Sequence, residues 1–342
     1  MKAIILLILV ASVFSKVTLD NTTFAKFMKF SHQHNKIYTS QMEFVAKYEI
    51  FKQNLQKVEM MNETHSLTGQ AKTFDLGVTQ FMDMTTEEFS KTYLNLKVGN
   101  VKQLRSETKT LSVNPRIKDV PASWDWRTQG AVSAVKNQGS CGSCWAFSAV
   151  GNLEGQHQLK SGGTVVDLSP QQMVDCDKVD QGCNGGLMED AFKYIQQAGG
   201  IEANADYSYA GYDQTCKFDV TKAVVNVTGY NMAKTEDEND IKALLFQTGP
   251  LAIAMNATPL QFYFWGIFNP WFTWICDPSG LNHGVLLVGY GVEGSTEFWI
   301  VKNSWGASWG ESGYFRIIKG KGACGVNQHN YLVLVLLKIK VN

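Results

Sequence analysis

The chain has 342 residues, more than one compact domain usually needs, so a mosaic of segments is expected. Its 31 basic and 31 acidic residues cancel, which gives no support to a nucleic-acid or membrane-surface role. Apolar and aromatic content is that of a globular protein with a sizeable core, and no internal repeat or low-complexity run stands out.

Lys2 precedes an apolar run from Ala3 to Phe14, with small Ser12 and Ser15 near its end. That is the layout of a secretory signal peptide, residues 1–15, and the run is shorter than the roughly 20 residues that span a bilayer. Tyr331 to Leu337 is as apolar but far too short to span. Secretory entry permits disulfides and gives meaning to the sequons at Asn21, Asn62, Asn226 and Asn256, each followed two positions on by Thr.

From residue 20 to 65, Phe24, Phe27 and Met28, then Phe44, Tyr48, Phe51, Leu55 and Val58, recur at steps of three and four. Lys and Glu fill the other face, which predicts a pair of amphipathic helices. The polar stretch Gly99 to Lys118 predicts an exposed linker of the kind proteases cut. Beyond Val120, helices are predicted over Cys144–Lys160, stopped by Gly162 and Gly163, over Ser169–Val174 and over Leu187–Gln197. Strands are predicted over Val224–Val227, Leu251–Met255, Val285–Tyr290, Phe298–Lys302 and Tyr314–Ile318. Helices first and strands second imply an α+β fold of two subdomains with a cleft between them. The aromatic run Phe262 to Trp274 is expected to pack as core and loop beside Cys276, with any exposed part available to extend substrate binding.

The stretch N-Q-G-S-C-G-S-C-W-A-F-S from Asn137 to Ser148 carries the strongest chemical signal. Cys144 opens a helix, where free N–H groups and the helix dipole favour a thiolate, the nucleophilic form of cysteine. Seven cysteines leave one over after full pairing, and the other six allow fifteen pairings. A thiol nucleophile needs a base. His32, His34 and His65 precede the linker, His157 is expected on the solvated face of the Cys144 helix, and His329 lies near the C-terminus. His283, in L-N-H-G-V, stands at the entry to an apolar strand. Asn303, in W-I-V-K-N-S-W-G, could orient its ring, with Trp305 as a cover that excludes water. Gln138, six residues before Cys144, could join the Cys144 N–H as an oxyanion donor.

Together Q-G-S-C-G-S-C-W-A-F-S, L-N-H-G-V and N-S-W-G-x-x-W-G-x-x-G-Y resemble the papain-like cysteine proteases, whose signature cysteine is followed by a distant His and Asn. Here His283 and Asn303 follow Cys144 by 139 and 159 residues. The resemblance implies a papain-like fold with a mainly helical left subdomain, a β-barrel-like right subdomain and the active site between them. It implies that Cys144 is the nucleophile, His283 the acid/base, Asn303 the orienter and Gln138 the oxyanion donor, with no cofactor and no metal. Upstream, Glu43, Lys47, Phe51, Asn54, Val58 and Asn62, then Gly77, Thr79, Phe81 and Asp83, resemble the two propeptide motifs of cathepsin L-like proteases. Lys47, Val58 and Thr79 depart from the usual Arg, Ile and Asn. Residues 16–119 are thus expected to be an inhibitory propeptide and 120–342 the peptidase, an endopeptidase released at acid pH in a lysosome-like compartment or outside the cell.

The resemblance further implies the pairs Cys141–Cys183, Cys176–Cys216 and Cys276–Cys324, with Cys144 free. It places Leu187, Met188, Ala254 and Leu281 around the pocket for the residue two before the cut, with His329 at its floor. A protonated His329 directed inward would favour polar or acidic side chains at low pH. Expected partners are protein and peptide substrates, the propeptide itself and cystatin-like inhibitors, with the chain a monomer that binds neither nucleic acid nor membrane. Three rivals are open. Cys141-Gly-Ser-Cys144 could be a thiol–disulfide redox motif, Cys141, Cys144, Cys176 and Cys183 could hold zinc, or a dead mature domain could leave a secreted inhibitor.

Overall fold

The computed structural model describes residues 21–67, 72–99, 109–115, 117, 119–270 and 276–336; the expected signal peptide lies outside them. The two amphipathic helices are α1 (Asn21–Gln33) and α2 (Gln41–Leu67). Phe44, Tyr48 and Phe51 fall at steps of four and three, so one stripe of α2 meets α1. There Phe27 stacks on Tyr38 at 5.7 Å and meets Phe44, Tyr48 and Phe51 at 5.3 to 5.4 Å.

The polar residues of α2 hold the chain that follows. Asn62 Nδ2 donates to the Leu76 carbonyl at 2.9 Å, and Asn54 Nδ2 to the carbonyls of Met82 and Met84 at 3.0 and 2.8 Å. Lys36 and Tyr38 clamp the Asp83 carboxylate at 2.8 and 3.1 Å. The motif spacing seen in the sequence is therefore that of one helix face gripping Leu76 to Met84. Within that segment β1 (Phe74–Leu76) pairs antiparallel with β6 (Tyr263–Phe268). Gly266, at φ +97°, lets the two strands approach, since a Cβ there would strike the Thr73 carbonyl. Helix α3 (Thr86–Tyr93) then starts on a capping box between Thr85 and Glu88.

Downstream come β2 (Lys109–Leu111), β3 (Trp124–Asp125), α4 (Cys144–Ser161), α5 (Pro170–Cys176) and α6 (Met188–Ala198). They are followed by β4 (Asn226–Ala233), α7 (Glu238–Thr248), β5 (Leu251–Met255), β6, β7 (His283–Glu293), β8 (Thr296–Lys302), β9 (Tyr314–Ile318) and β10 (Asn330–Leu336). The strands form one mixed sheet in the order β1-β6-β9-β8-β7-β5-β10-β4-β2, with β3 on β7. This is the α+β, papain-like architecture that was expected, preceded by its helical propeptide.

Two cores flank the cleft. Trp145, Leu153, Met173, Phe192 and Ile195 pack around α4, α5 and α6. The other core joins Tyr263, Trp299, Val301 and Phe315 of the sheet to Phe27, Phe51, Phe81 and Phe89 of the propeptide, so the pro-segment is built into the sheet subdomain's apolar interior.

Three expectations need correction, and a fourth, for the aromatic run, holds in part. Helix α7 interrupts the strand region, because Asp237 caps it by accepting from the Asn239 N–H and Ile241, Leu244 and Leu245 bury one face. Part of the expected linker, Lys109–Leu111, is a strand on the β4 edge with Leu111 buried; residues 100–108, 116 and 118 lie outside the described residues. In the aromatic run Tyr263–Phe268 is a strand, with Phe262, Tyr263 and Phe268 buried and Phe264 and Trp265 exposed, while Trp271, Phe272 and Trp274 lie outside the described residues. His157 is partly buried rather than solvated.

Candidate active site

Cys144 is the first residue of α4, fully buried, and the free thiol left by disulfides Cys141–Cys183, Cys176–Cys216 and Cys276–Cys324. The Cys141–Cys183 bridge staples the loop before the nucleophile to the cleft wall, and Gly142 N–H donates to the Cys183 carbonyl at 2.9 Å. The N-cap residue Ser143 makes no side-chain cap bond; its carbonyl takes the Ala146 N–H at 2.9 Å, and the Cys144 and Trp145 N–H groups of the first turn face the sulfur. Backbone N–H groups of Gly284, Asn95, Trp145 and Cys144 all favour a thiolate at the sulfur.

His283 opens β7 and is also fully buried. Its Nε2 lies 2.9 Å from Asn303 Oδ1, which also accepts from the Ser304 N–H at 2.8 Å. Asn303 Oδ1 is thus an acceptor, Nε2 carries the hydrogen, and Nδ1 is the nitrogen available for proton exchange. Buried Trp305 covers this pair with its ring 4.8 Å from the imidazole.

Gln138 is buried and fixed at every polar atom. Its N–H donates to the Ser304 carbonyl at 2.8 Å, and Ser304 Oγ donates to its Oε1 at 2.7 Å. That fixes which way the amide faces and leaves Nε2 to donate to the carbonyls of Cys141 and Tyr93 at 3.0 and 3.3 Å. The structure therefore brings Cys144, His283, Asn303 and Gln138 to one place. Sequence reasoning passed over Ser304, although it stands inside the N-S-W-G motif, and over Tyr209, for which no motif gave a signal.

The cleft is filled by the propeptide. The Tyr93 carbonyl meets Gln138 and supports a charged His283, while the Asn95 N–H reaches Cys144. Leu96 N–H donates to the Asn282 carbonyl at 3.0 Å, and Lys97 N–H to Gly186 at 2.9 Å. Exclusion of water has an electrostatic consequence. Burial pushes the Cys144 thiol up to about 11 and the His283 imidazole down to about 4, against the help of Asn303 and the Tyr93 carbonyl. The closed cleft thus holds both groups neutral at intermediate pH.

Leu96 is buried in the same apolar cluster as Leu187, Met188, Ala254 and Tyr331, with partly buried Leu281 against it. His329 is fully buried, its Nδ1 3.2 Å from Tyr331 Oη, which donates to Glu189 Oε2 at 3.0 Å. Among the sequons, Asn21 is exposed and Asn62 and Asn226 are partly buried. Asn256 is buried with Nδ2 donating to the Asp277 carbonyl at 3.0 Å, a bond that a glycan on that nitrogen would disturb. Disulfide bonding of Cys141, Cys176 and Cys183 removes both the redox partner of Cys144 and the ligands of the zinc alternative.

Residues 120–334 match the family model for papain family cysteine proteases, and residues 27–89 the cathepsin propeptide inhibitor domain. Cysteine proteinase 15A of Pisum sativum is 41% identical over 319 residues, covering 88% of this chain and 84% of that protein. Cathepsin F of Mus musculus is 43% identical over 302 residues, covering 88% of this chain and 63% of that protein. The digestive procathepsin L2 proteinase from Tenebrio molitor larval midgut superposes with a TM-score of 0.83 at 35% identity, covering 91% of this chain and 99% of that one.

Proposed function

The chain belongs to the papain family of cysteine proteases, and from that premise we propose how its own residues carry out peptide hydrolysis. It is a cysteine protease made as a proenzyme with an inhibitory propeptide. In the proposed reaction the Cys144 thiolate attacks the carbonyl carbon of the scissile bond. Negative charge gathers on the oxygen, facing the Cys144 N–H and Gln138 Nε2. The His283 imidazolium gives its proton to the leaving amine as the C–N bond breaks, which leaves a thioester on Cys144. Neutral His283 then takes a proton from water, whose oxygen attacks the thioester; the thiolate departs and the carboxyl product is released. Asn303 keeps the ring oriented throughout.

The observation that carries this reading is that two residues of one segment, Tyr93 and Asn95, reach Gln138, His283 and Cys144 together. We assign residues 1–15 to a signal peptide, 16–119 to the propeptide and 120–342 to the peptidase. We further propose an endopeptidase that is monomeric, open to cystatin-like inhibitors, and active in a lysosome-like acidic compartment or outside the cell. Leu187, Met188, Ala254 and Leu281 line the pocket that Leu96 fills, with His329 beneath. Comparing cleavage of Leu- and Glu-containing peptides at acid and neutral pH tests the His329 assignment, and an unchanged ratio removes it.

Acid release has a physical basis in the propeptide. Burial acts upward on the Glu88 carboxyl, but the Thr85 N–H and the Lys47 ammonium hold it below the ordinary value. The Thr39 hydroxyl and N–H do the same for Glu43. Lowered carboxylates contribute stability that is present above about pH 4.5 and is lost as pH falls through their folded-state values. Incubating the purified proform at about pH 4 with reductant should release a mass of the propeptide's size and hydrolysis of Leu- and Phe-containing peptides. The same activity in Cys144→Ala would refute the mechanism.

A further inference from the structure

Tyr209 lies 65 residues from Cys144 in sequence, in a loop between α6 and β4, yet it contacts both segments that carry the oxyanion donors. Its hydroxyl donates to the Gln138 backbone carbonyl at 2.7 Å. Ser143 Oγ lies 2.7 Å from the same hydroxyl. A carbonyl can only accept, so the tyrosine proton goes to Gln138 and Ser143 must donate to Tyr209. Ser143 is the N-cap residue of α4, where a serine oxygen ordinarily accepts an N–H from the second or third helical residue. Here it does not: Ser143 has φ −99° and ψ 18°, outside the extended region of an ordinary N-cap, its carbonyl takes the Ala146 N–H, and its hydroxyl faces Tyr209.

We propose that Tyr209 is a positioning residue of the oxyanion hole, acting through Ser143 and Gln138. It holds the Ser143 hydroxyl, and with it the residue before the nucleophile, so that the Cys144 and Trp145 N–H groups stay directed at the reacting centre. It also pins the backbone of Gln138, so that Nε2 and the Cys144 N–H stay at a fixed separation. Two features make the hydroxyl separable from the ring. The ring is anchored edge-on to Phe147 at 4.8 Å, which a phenylalanine would preserve. Burial pushes the hydroxyl up to about 12, so it stays a donor across the working range.

The proposal rests on the reading of Gln138 and the Cys144 N–H as oxyanion donors, and its test keeps the two apart. The acid-activated enzyme is prepared as wild type and as Tyr209→Phe. Five quantities are compared: kcat and KM on a peptide substrate, affinity for a peptidyl aldehyde, the rate of Cys144 alkylation by iodoacetamide, and Tm. The aldehyde forms a hemithioacetal whose oxygen occupies the hole; alkylation needs the thiolate but no hole. The expected result is a kcat lower by about tenfold and aldehyde affinity weaker by a similar factor, with KM and alkylation unchanged and Tm lower by only a few degrees, as the loss of the two hydrogen bonds requires. An unchanged kcat overturns the proposal, as does a kcat loss matched by equal losses in alkylation rate and Tm. Should Tyr209→Phe fail to fold, Ser143→Ala serves instead. It loses the bond to Tyr209 but keeps that of Tyr209 to Gln138, so a smaller but measurable loss of aldehyde affinity is expected, and no loss overturns the proposal. A wild type that cleaves no peptide refutes the peptidase reading itself, a different outcome from a Tyr209→Phe enzyme that equals an active wild type.

Discussion

Two amide side chains serve the proposed chemistry, and both are oriented by Ser304: its N–H donates to Asn303 Oδ1 and its hydroxyl to Gln138 Oε1. An amide flipped end for end would present the wrong atom to the imidazole or to the oxyanion, so these bonds decide function rather than stability. Gln138→Ala is therefore expected to lower kcat/KM by about 10²- to 10³-fold. Because Gln138 also meets Ser304 and Cys141, the check is a steady-state assay run beside a thermal melt, with the rate loss far exceeding any change in Tm. Cys144, His283, Asn303 and Gln138 were legible as single residues because each stands in a local motif. Ser143, Ser304 and Tyr209 were not, since their importance lies in contacts between segments distant in sequence. His329 was legible as a position only; its burial against Tyr331 and Glu189 depends on how β10 meets α6.

At the scale of elements, the propeptide helices were readable from their three-and-four periodicity, and α4 from its glycine stop. Gly162 ends α4 in the left-handed conformation, with its N–H on the Gln158 carbonyl. Helix α7 was missed although Asp237 and the apolar spacing of Ile241, Leu244 and Leu245 announce it, because neighbouring strand patterns dominated the reading. Strands β1 and β2 were invisible for a different reason. Each has three residues and exists only because a sheet edge offers it partners. Helix α3 delivers the chain into the cleft, and its start depends on the Thr85–Glu88 capping box, with Glu88 also bound by Lys47 at 3.1 Å. Thr85→Ala removes the hydroxyl that accepts the Glu88 N–H and should cost the propeptide about 1 kcal/mol. The measurable result is a proform that activates at a higher pH than wild type; an unchanged activation midpoint would show that α3 does not limit release.

For the whole molecule, the propeptide shares one apolar core with the sheet subdomain, so activation must break a core as well as vacate a cleft. A second pH device lies in the wall of that cleft. Burial first, and then the neighbouring Asp177 carboxylate, push Asp180 up to about 9, while its Oδ1 accepts the Leu187 N–H at 2.9 Å. Asp190 adds to the same repulsion. A carboxyl raised in the folded state contributes stability that is present below its unfolded value and is lost as pH rises toward the folded one. The proform should accordingly lose thermal stability as pH rises from about 5 to 9, and Asp180→Asn should flatten that slope. A slope of the same steepness in Asp180→Asn would assign the dependence elsewhere.

The reacting pair itself offers the sharpest measurement. Alkylation of Cys144 by iodoacetamide, followed by intact mass from about pH 3 to 9, reports its thiolate in the proform and in the activated enzyme. With the cleft closed, burial holds Cys144 as thiol and His283 as neutral imidazole, so the proform should be almost inert across the range. With the propeptide gone, water returns and the thiolate–imidazolium pair should form, giving rapid alkylation already at acid pH and a plateau through neutrality. Matching profiles for the two forms, or an activated enzyme whose alkylation rises only near the ordinary thiol value of about 8.5, would contradict a Cys144–His283 pair kept silent by its own propeptide.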